Sequence, residues 1–141
     1  MVPNGFNDGE EQVADQEMRE LLIEYMGNGF LENIIALFKT DATLYRFVGD
    51  LMGAENIRVR LGATALIEEL ARDRREELKM SVPGLIMLLG HENPTIRGDA
   101  ASALGMIKDR SAETALRERL GDEHPGVREA AREALLELTD R

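Results

Sequence analysis

A short sequence pattern that recurs three times constrains the fold of this chain more than any other feature. In each copy, a Gly is followed two residues later by Glu and seven residues later by Arg, with a β-branched residue just before the Arg. The copies occupy residues 53–60, 90–97 and 121–128, so they are spaced 37 and then 31 residues apart. Repeats of this length are typical of arrays in which each unit packs against its neighbours. The chain is therefore predicted to be a stack of similar units.

Apolar residues follow each repeated Arg at offsets of three, seven and ten residues, which places them on one face of an α-helix. A shorter apolar pattern precedes each Gly, so each unit is predicted to be a helix, a tight turn and a second helix. The Gly suits the end of the first helix, and Pro94 and Pro125 suit the first turn of the second. The predicted apolar face consists of Ala63, Ile67 and Leu70, then Ala100, Leu104 and Ile107, then Ala131, Leu135 and Leu138.

The run from Asn93 to Ile107 resembles the second helix of HEAT repeat proteins, in particular the bacterial subgroup that is named after the phycobilisome (PBS) lyases. The resemblance is specific over residues 81–141, good over 44–80 and faint before residue 44. It implies an all-α fold, namely a right-handed α-solenoid (a HEAT-like superhelix) of about four antiparallel helix pairs.

The N-terminal third has a helical pattern of its own. Apolar residues three and four apart occur over residues 11–26 and 30–39, with Gly27-Asn28-Gly29 between them. We interpret this region as a degenerate first pair that caps the stack, because a terminal repeat has one face in water. We predict a disordered segment over residues 1–10 and a single domain over 11–141, with helix pairs at about 11–40, 41–74, 81–109 and 111–139.

The chain is acidic, with a formal net charge of −10. Nucleic acids and anionic membranes are themselves negatively charged, so we do not expect either as a partner. The first 43 residues hold nine acidic side chains against Arg19 and Lys39, so the acidity is concentrated at the N-terminal end. No apolar run approaches the ~18 residues of a membrane span, and residues 1–12 lack the basic and apolar regions of a signal peptide. We expect a cytoplasmic protein.

The repeated Glu and Arg are five residues apart in every copy, and two roles are open to them. The arginines could form a row that binds an anion. We favour a structural role, in which each Arg pairs with an acidic side chain in a turn of its own or a neighbouring unit, because the equivalent Arg of HEAT-like families has that role. Exposed pairs would each contribute only ~0–1 kcal/mol and would set register more than stability. The predicted pairs are Glu55–Arg60, Glu92–Arg97 and Glu123–Arg128.

Residues suited to catalysis are sparse. The chain has no Cys, which excludes thiol catalysis and Cys-ligated metals. HEAT-like hydroxylases bind two irons through His-Glu pairs on the second helix, but Gly98-Asp99 and Glu129-Ala130 occupy those places here. His91-Glu92 lies in a turn, and His124 is not at the equivalent position, so the two histidines do not form a repeated ligand set. We expect no catalytic residue, no metal site and no cofactor.

A non-enzymatic protein-binding scaffold is the favoured function, because the second helices of HEAT-type stacks line a concave face that admits a peptide segment. The partner is expected to be another, unidentified protein, and the chain a monomer or a weak homodimer. Two alternatives are an accessory subunit in the attachment of a bilin-type cofactor and a metal-dependent enzyme related to the HEAT-like hydroxylases. The predicted strip on the concave face consists of Arg58, Glu69, Arg72, Asp99, Ser102, Met106, Glu133 and Glu137.

Overall fold

The computed structural model describes residues 8–139, and every regular element in that range is helical, which confirms the prediction of an all-α chain. The α-helices of this range are α1 (Asp8–Gly27), α2 (Leu31–Thr40), α3 (Val48–Met52), α4 (Ile57–Asp73), α5 (Arg75–Leu78), α6 (Val82–Leu88), α7 (Pro94–Ile107), α8 (Glu113–Glu118) and α9 (Pro125–Thr139). Short 3₁₀ segments lie at Ala42–Phe47, Lys79–Ser81, Arg110–Ala112 and Arg119–Gly121. None of these helices is both long and apolar enough to cross a membrane.

The first helix of each repeated unit is short and composite. The 3₁₀ segment Ala42–Phe47 runs directly into α3, and α8 has a 3₁₀ segment at each end. In the unit between them, α5 and Lys79–Ser81 run into α6, so helical structure begins at Arg75. The pattern predicted a start at residue 81, because four residues of helix are too few to show a 3.6-residue period.

The second helices α4, α7 and α9 begin at the predicted turns. Asn56 and Asn93 lie just before α4 and α7, and each side chain accepts a hydrogen bond of 2.9 Å from the backbone N–H two residues further on. His124 has the same role before α9, where its Nδ1 accepts a backbone N–H at 3.1 Å. These bonds satisfy N–H groups that a helix start leaves without a partner. Pro94 and Pro125 are the first residues of α7 and α9, as their lack of an N–H favours.

The predicted apolar faces form the core. A continuous cluster of buried side chains joins the first helices to the second helices along the stack. Each large side chain removed from water contributes about 1.5–3 kcal/mol, so this face holds the units together. Of the nine predicted positions, Leu135 is half-buried and the rest are buried, namely Ala63, Ile67, Leu70, Ala100, Leu104, Ile107, Ala131 and Leu138.

Successive units stack helix on equivalent helix, since α3 contacts α6, α4 contacts α7, and α7 contacts α9. Two close approaches between helix backbones show how tightly successive units pack. A Cβ on Gly49 of α3 would lie 3.1 Å from the backbone of Gly84 in α6. A Cβ on Gly105 of α7 would lie 3.0 Å from the Cα of Ala134 in α9. Small residues therefore allow the helix backbones to meet.

The N-terminal helices pack on the first repeated unit, with α1 and α2 both in contact with α4. The thioether of Met26 lies over Gly62 of α4, where any Cβ would overlap it. Helix α1 begins at Asp8, three residues before the predicted domain boundary, while residues 1–7 of the predicted disordered segment lie outside the described residues. The two helices thus pack against α4 of the first repeated unit.

Candidate functional site

The repeated arginines close the turns by donating to backbone carbonyls. Arg60 Nη1 donates to the carbonyl oxygens of Ala54 and Glu55, at 2.7 and 2.8 Å. Arg97 Nη1 donates in the same way to the carbonyls of His91 and Glu92, at 2.8 and 3.2 Å. Each guanidinium therefore folds back from the first turn of a second helix onto the turn that precedes it.

The third turn repeats this arrangement and corrects the predicted pairing. Arg128 Nη1 donates to the carbonyls of Asp122 and Glu123, at 2.8 and 3.3 Å. Within residues 8–139, none of the carboxylates of Glu55, Glu92 and Glu123 forms an ion pair with the Arg of its own turn. Turn carbonyls lack a helical N–H partner, so a guanidinium satisfies them while the exposed carboxylates remain in water.

One turn acid does bind a repeated Arg, and it belongs to the neighbouring unit. Asp122 accepts hydrogen bonds from Nε and Nη2 of Arg97, at 2.9 and 3.0 Å, and both side chains are buried. Arg119 lies 3.4 Å from the same carboxylate. The hydrogen bond from Arg97 is the main reason that the pKa of Asp122 lies below its usual value. The corresponding residues of the other turns are Ala54 and His91, so Asp122 breaks the repeat and the pattern did not point to it.

A groove of about 710 Å³ runs along the second helices of three successive units. Its floor is the contact between Gly105 and Ala134, where the absence of larger side chains lets the backbones of α7 and α9 approach. Met106 and two further alanines add apolar surface to it. The lining consists of Glu68, Ala71, Arg72, Arg75, Ser102, Gly105, Met106, Lys108, Ala130, Glu133, Ala134 and Glu137.

The two walls of the groove differ in charge. Arg72 and Arg75 lie on the wall formed by α4 and α5, together with Glu68, while Glu133 and Glu137 lie on the α9 wall. One basic side chain also lies beside the acidic α9 wall, because Lys108 forms an ion pair of 3.4 Å with Glu137. Lys108 ends α7 in the left-handed conformation, with φ of 60°, which directs the chain away from the helix. The α4–α5 wall thus carries more positive charge, although Arg72 also lies 3.6 Å from Glu69, and the α9 wall carries more negative charge.

The structure brings together most, but not all, of the predicted strip. Arg72, Ser102, Met106, Glu133 and Glu137 line the groove. All of them are exposed or half-buried, so a partner can reach them. The groove also includes Glu68, Arg75 and Lys108, which the repeat did not predict. Glu68 is next to the predicted Glu69 on α4, Arg75 belongs to the short helix α5, and Lys108 follows the end of α7.

The other strip residues lie outside the groove. Arg58 is exposed in the first turn of α4. Glu69 is within ion-pair distance of Lys39 on α2, at 3.7 Å, so it faces the N-terminal helices. Asp99 is half-buried, and this burial raises the pKa of its carboxyl group, although Arg60 opposes the effect. The groove is therefore shifted toward the C-terminal ends of α4 and α7.

The histidines of the turns act as hydrogen-bond acceptors for the backbone. His91 Nδ1 accepts the N–H of Asn93 at 2.9 Å, much as His124 Nδ1 does before α9. In the part of the chain that the structure describes, no group of three or more His, Asp or Glu side chains is placed to hold a metal ion. The side chains that line the groove offer charge, hydrogen-bonding groups and apolar contact.

The geometry of turn, groove and stack agrees with a comparison of the sequence with known families. The family model for HEAT repeats matches residues 45–136, about two-thirds of the chain. The chain belongs to the HEAT repeat family. The match of the HEAT repeats covers α3 to α8 and most of α9, and so nearly the whole groove, whereas α1 and α2 lie before it. A search of curated proteins gives no match to this HEAT repeat chain.

Proposed function

We propose that this HEAT repeat protein is a non-enzymatic scaffold that binds a segment of a partner protein in the groove between α4, α7 and α9. The observation that carries the proposal is the groove itself, which has about 710 Å³ of open space over the second helices of three units. HEAT repeats commonly serve as protein-interaction scaffolds. A surface built from rigid helices also keeps its shape before binding, which reduces the entropic cost of association.

The chemistry of the groove indicates what the segment carries. Arg72 and Arg75 favour acidic side chains on one flank of the segment, and Glu133 and Glu137 favour basic side chains on the other. The floor at Gly105 leaves room for small or flat apolar side chains between them. An amphipathic helix or an extended peptide with oppositely charged flanks meets these requirements. The charges would set orientation and specificity, and the floor would add apolar contact.

The proposal includes the finer features that the family resemblance implies. The helix pairs, about four in number, form a right-handed superhelix, and the groove lies on its concave face. We also propose that the chain belongs to the subgroup that is named after the PBS lyases and acts in the cytoplasm as a monomer or weak homodimer. Support for the subgroup comes from the run from Asn93 to Ile107. This run contains Ser102, Gly105 and Met106, which line the groove.

Site-specific photo-crosslinking in host lysate tests the groove directly. A photoreactive amino acid replaces Ser102, which is exposed inside the groove, and in a matched control replaces Met87, which is 81% exposed on α6 outside it. We expect a discrete crosslinked protein with the Ser102 probe that is absent with the Met87 probe. Identical crosslinking patterns from both positions would exclude the groove as the binding site.

Charge reversal supplies the second arm of the experiment. The variant E68K/E133K/E137K changes three groove carboxylates, and the control variant E92K/E118K/E123K changes three carboxylates on the turn side of the molecule by the same total charge. The groove variant should abolish the Ser102 crosslink, and the control should retain it. Loss of the crosslink in both variants would show that net charge, and not the groove, governs the interaction.

A further inference from the structure

A second apolar surface lies between α1 and α2, at the N-terminal end of the molecule. We call it the N-terminal pocket. It has a volume of about 260 Å³ and shares no residue with the groove. Its lining is almost entirely apolar and includes Met18, Leu21 and Tyr25 of α1, Ile34 and Leu37 of α2, and Asp41.

Four large apolar side chains are exposed together at this pocket. Leu21, Tyr25 and Leu37 are 44%, 42% and 45% exposed, and Phe30, whose ring lies 5.6 Å from that of Tyr25, is 49% exposed. A second hollow of about 410 Å³ adjoins the pocket and shares Tyr25 and Leu37 with it. Single exposed apolar residues are ordinary, whereas these four side chains are neighbours and form one patch that a partner can cover.

The rim of the pocket is acidic. Glu17 and Glu24 lie one helical turn to either side of Leu21 on α1, and Asp41 lines the pocket. In the described part of the chain, Glu17 and Glu24 form no ion pair. Residues Asp8–Gly27 of α1 hold seven acidic side chains and one basic side chain, Arg19, so this side of the pocket is negatively charged.

The neighbouring basic side chains are already occupied by other carboxylates. Arg19 lies 2.9 Å from Asp50. Lys39 lies 3.2 Å from Asp73. Arg46 lies 2.8 Å from Asp15. These ion pairs join the N-terminal helices to the rest of the molecule or to the following segment, and so leave the acidic rim available to an external cation.

We propose that the N-terminal pocket binds a basic amphipathic helix of a partner protein. Two apolar side chains three or four residues apart on that helix would enter the pocket and the adjoining hollow, on either side of Tyr25 and Leu37. Lys and Arg on its flanks would face Glu17 and Glu24. Helix neighbours at this spacing project from one face, as the two adjoining hollows require.

Charge complementarity selects this occupant over two others. In a symmetric contact with a second copy of the chain, the same acidic rims would face each other, and like charges brought together oppose association. An anionic lipid surface would be repelled for the same reason. A helix with basic flanks instead gains from the rim as well as from the apolar contact.

Fluorescence anisotropy with a labelled synthetic peptide tests the proposal. The probe is a helix-forming peptide of Leu, Ala and Lys, with Leu residues three and four apart on one face, and the control peptide has Glu in place of every Lys. The variant Y25S/L37S should weaken binding of the Lys peptide about tenfold or more, because both apolar contacts are lost. The variant E17Q/E24Q should weaken it several-fold and reduce its dependence on salt. Binding of the Glu peptide as strong as that of the Lys peptide would overturn the proposal.

Controls separate this site from the groove and from self-association. M87S removes an apolar side chain that is 81% exposed elsewhere and should leave the affinity unchanged. Y25S/L37S changes no residue of the groove and should retain the Ser102 crosslink, so the two sites can fail independently. Equal weakening by M87S would overturn the proposal. Light scattering that shows a dimer in the wild type and a monomer in Y25S/L37S would assign the surface to a second copy instead.

Discussion

Arg97 and Asp122 form a buried, two-point ion pair between successive units, with Nε and Nη2 of the guanidinium 2.9 and 3.0 Å from the two carboxylate oxygens. The pair ties α7 to the turn that precedes α9. The side chains of Arg97 and Asp122 are only 8% and 3% exposed. Arg97 also bonds the carbonyls of its own turn through Nη1, so a single side chain holds two turns together. The packing of the last unit on its neighbour thus rests on this contact as well as on the apolar core.

Replacing Asp122 with Asn tests the ion pair. The variant retains the shape of the side chain but leaves the buried guanidinium without its charged acceptor, so we expect a loss of about 1–3 kcal/mol in the free energy of unfolding. Urea unfolding followed by circular dichroism measures the change. The control is E118Q, which neutralises an exposed carboxylate on α8 that has no ion pair in the described range. An equal effect of the two substitutions would contradict a specific role for Asp122.

The same pair predicts how stability depends on pH. The pKa of Asp122 is lowered in the folded protein, mainly by its hydrogen bond from Arg97. Its contribution is therefore complete above the unfolded value of about 3.9 and is lost as pH falls through the lower folded pKa. The difference in stability between wild type and D122N should be constant near neutral pH and shrink below about pH 4. Urea titrations across this range provide the test, and a difference that persists unchanged in acid would refute it.

Ionisation of Asp99 should have the opposite effect on stability. Burial raises the pKa of its carboxyl group in the folded state, so ionisation opposes folding once the pH exceeds the unfolded value of about 3.9. D99N should consequently be more stable than wild type at neutral pH, by less than about 1 kcal/mol since the site is half-exposed. The gain should vanish below about pH 4. Thermal unfolding at both pH values checks this, and a D99N protein less stable than wild type at neutral pH would disprove it.

Two glycines of α7 form a matched pair of opposite predictions. A Cβ at Gly105 would lie 3.0 Å from the Cα of Ala134, whereas a Cβ at Gly98 would meet nothing within 4 Å. G98A should stabilise the protein by about 0.5–1 kcal/mol through helix propensity. G105A gains the same propensity but must separate α7 from α9, so we expect a net loss of about 1–3 kcal/mol. Stabilisation by both substitutions would show that the two helices separate without cost.

The repeat made the helices readily predictable. Positions at offsets of three, seven and ten from each Arg are buried because local periodicity and burial have the same origin in a stacked helix. Asn56, Asn93 and the two prolines at the turns likewise act through neighbours only two or three residues away. Features that depend on residues close in sequence can therefore be predicted from the sequence alone.

The sequence did not predict which atoms bind the repeated arginines or which residues line the groove. The pairing with carboxylates was predicted from residue type, yet the turn brings carbonyl oxygens nearer to the guanidinium than the exposed carboxylates. The residues of the predicted strip lie on α4, α7 and α9, but Glu69 pairs with Lys39 on α2 and with Arg72 and does not line the groove. Which positions on different helices converge depends on the rotation between successive units, and no single helix encodes it.

The amino-acid sequence by itself determined the repeated unit, its helices, its turns and its buried face, because these depend on interactions within about ten residues. The tertiary structure decided which residues of different units meet. It placed Asp122 against Arg97, brought Gly105 to Ala134, and left the apolar surface at Tyr25 uncovered at the N-terminal end. These features arise from packing between segments that are distant in sequence, where small differences in helix orientation select one set of neighbours over another.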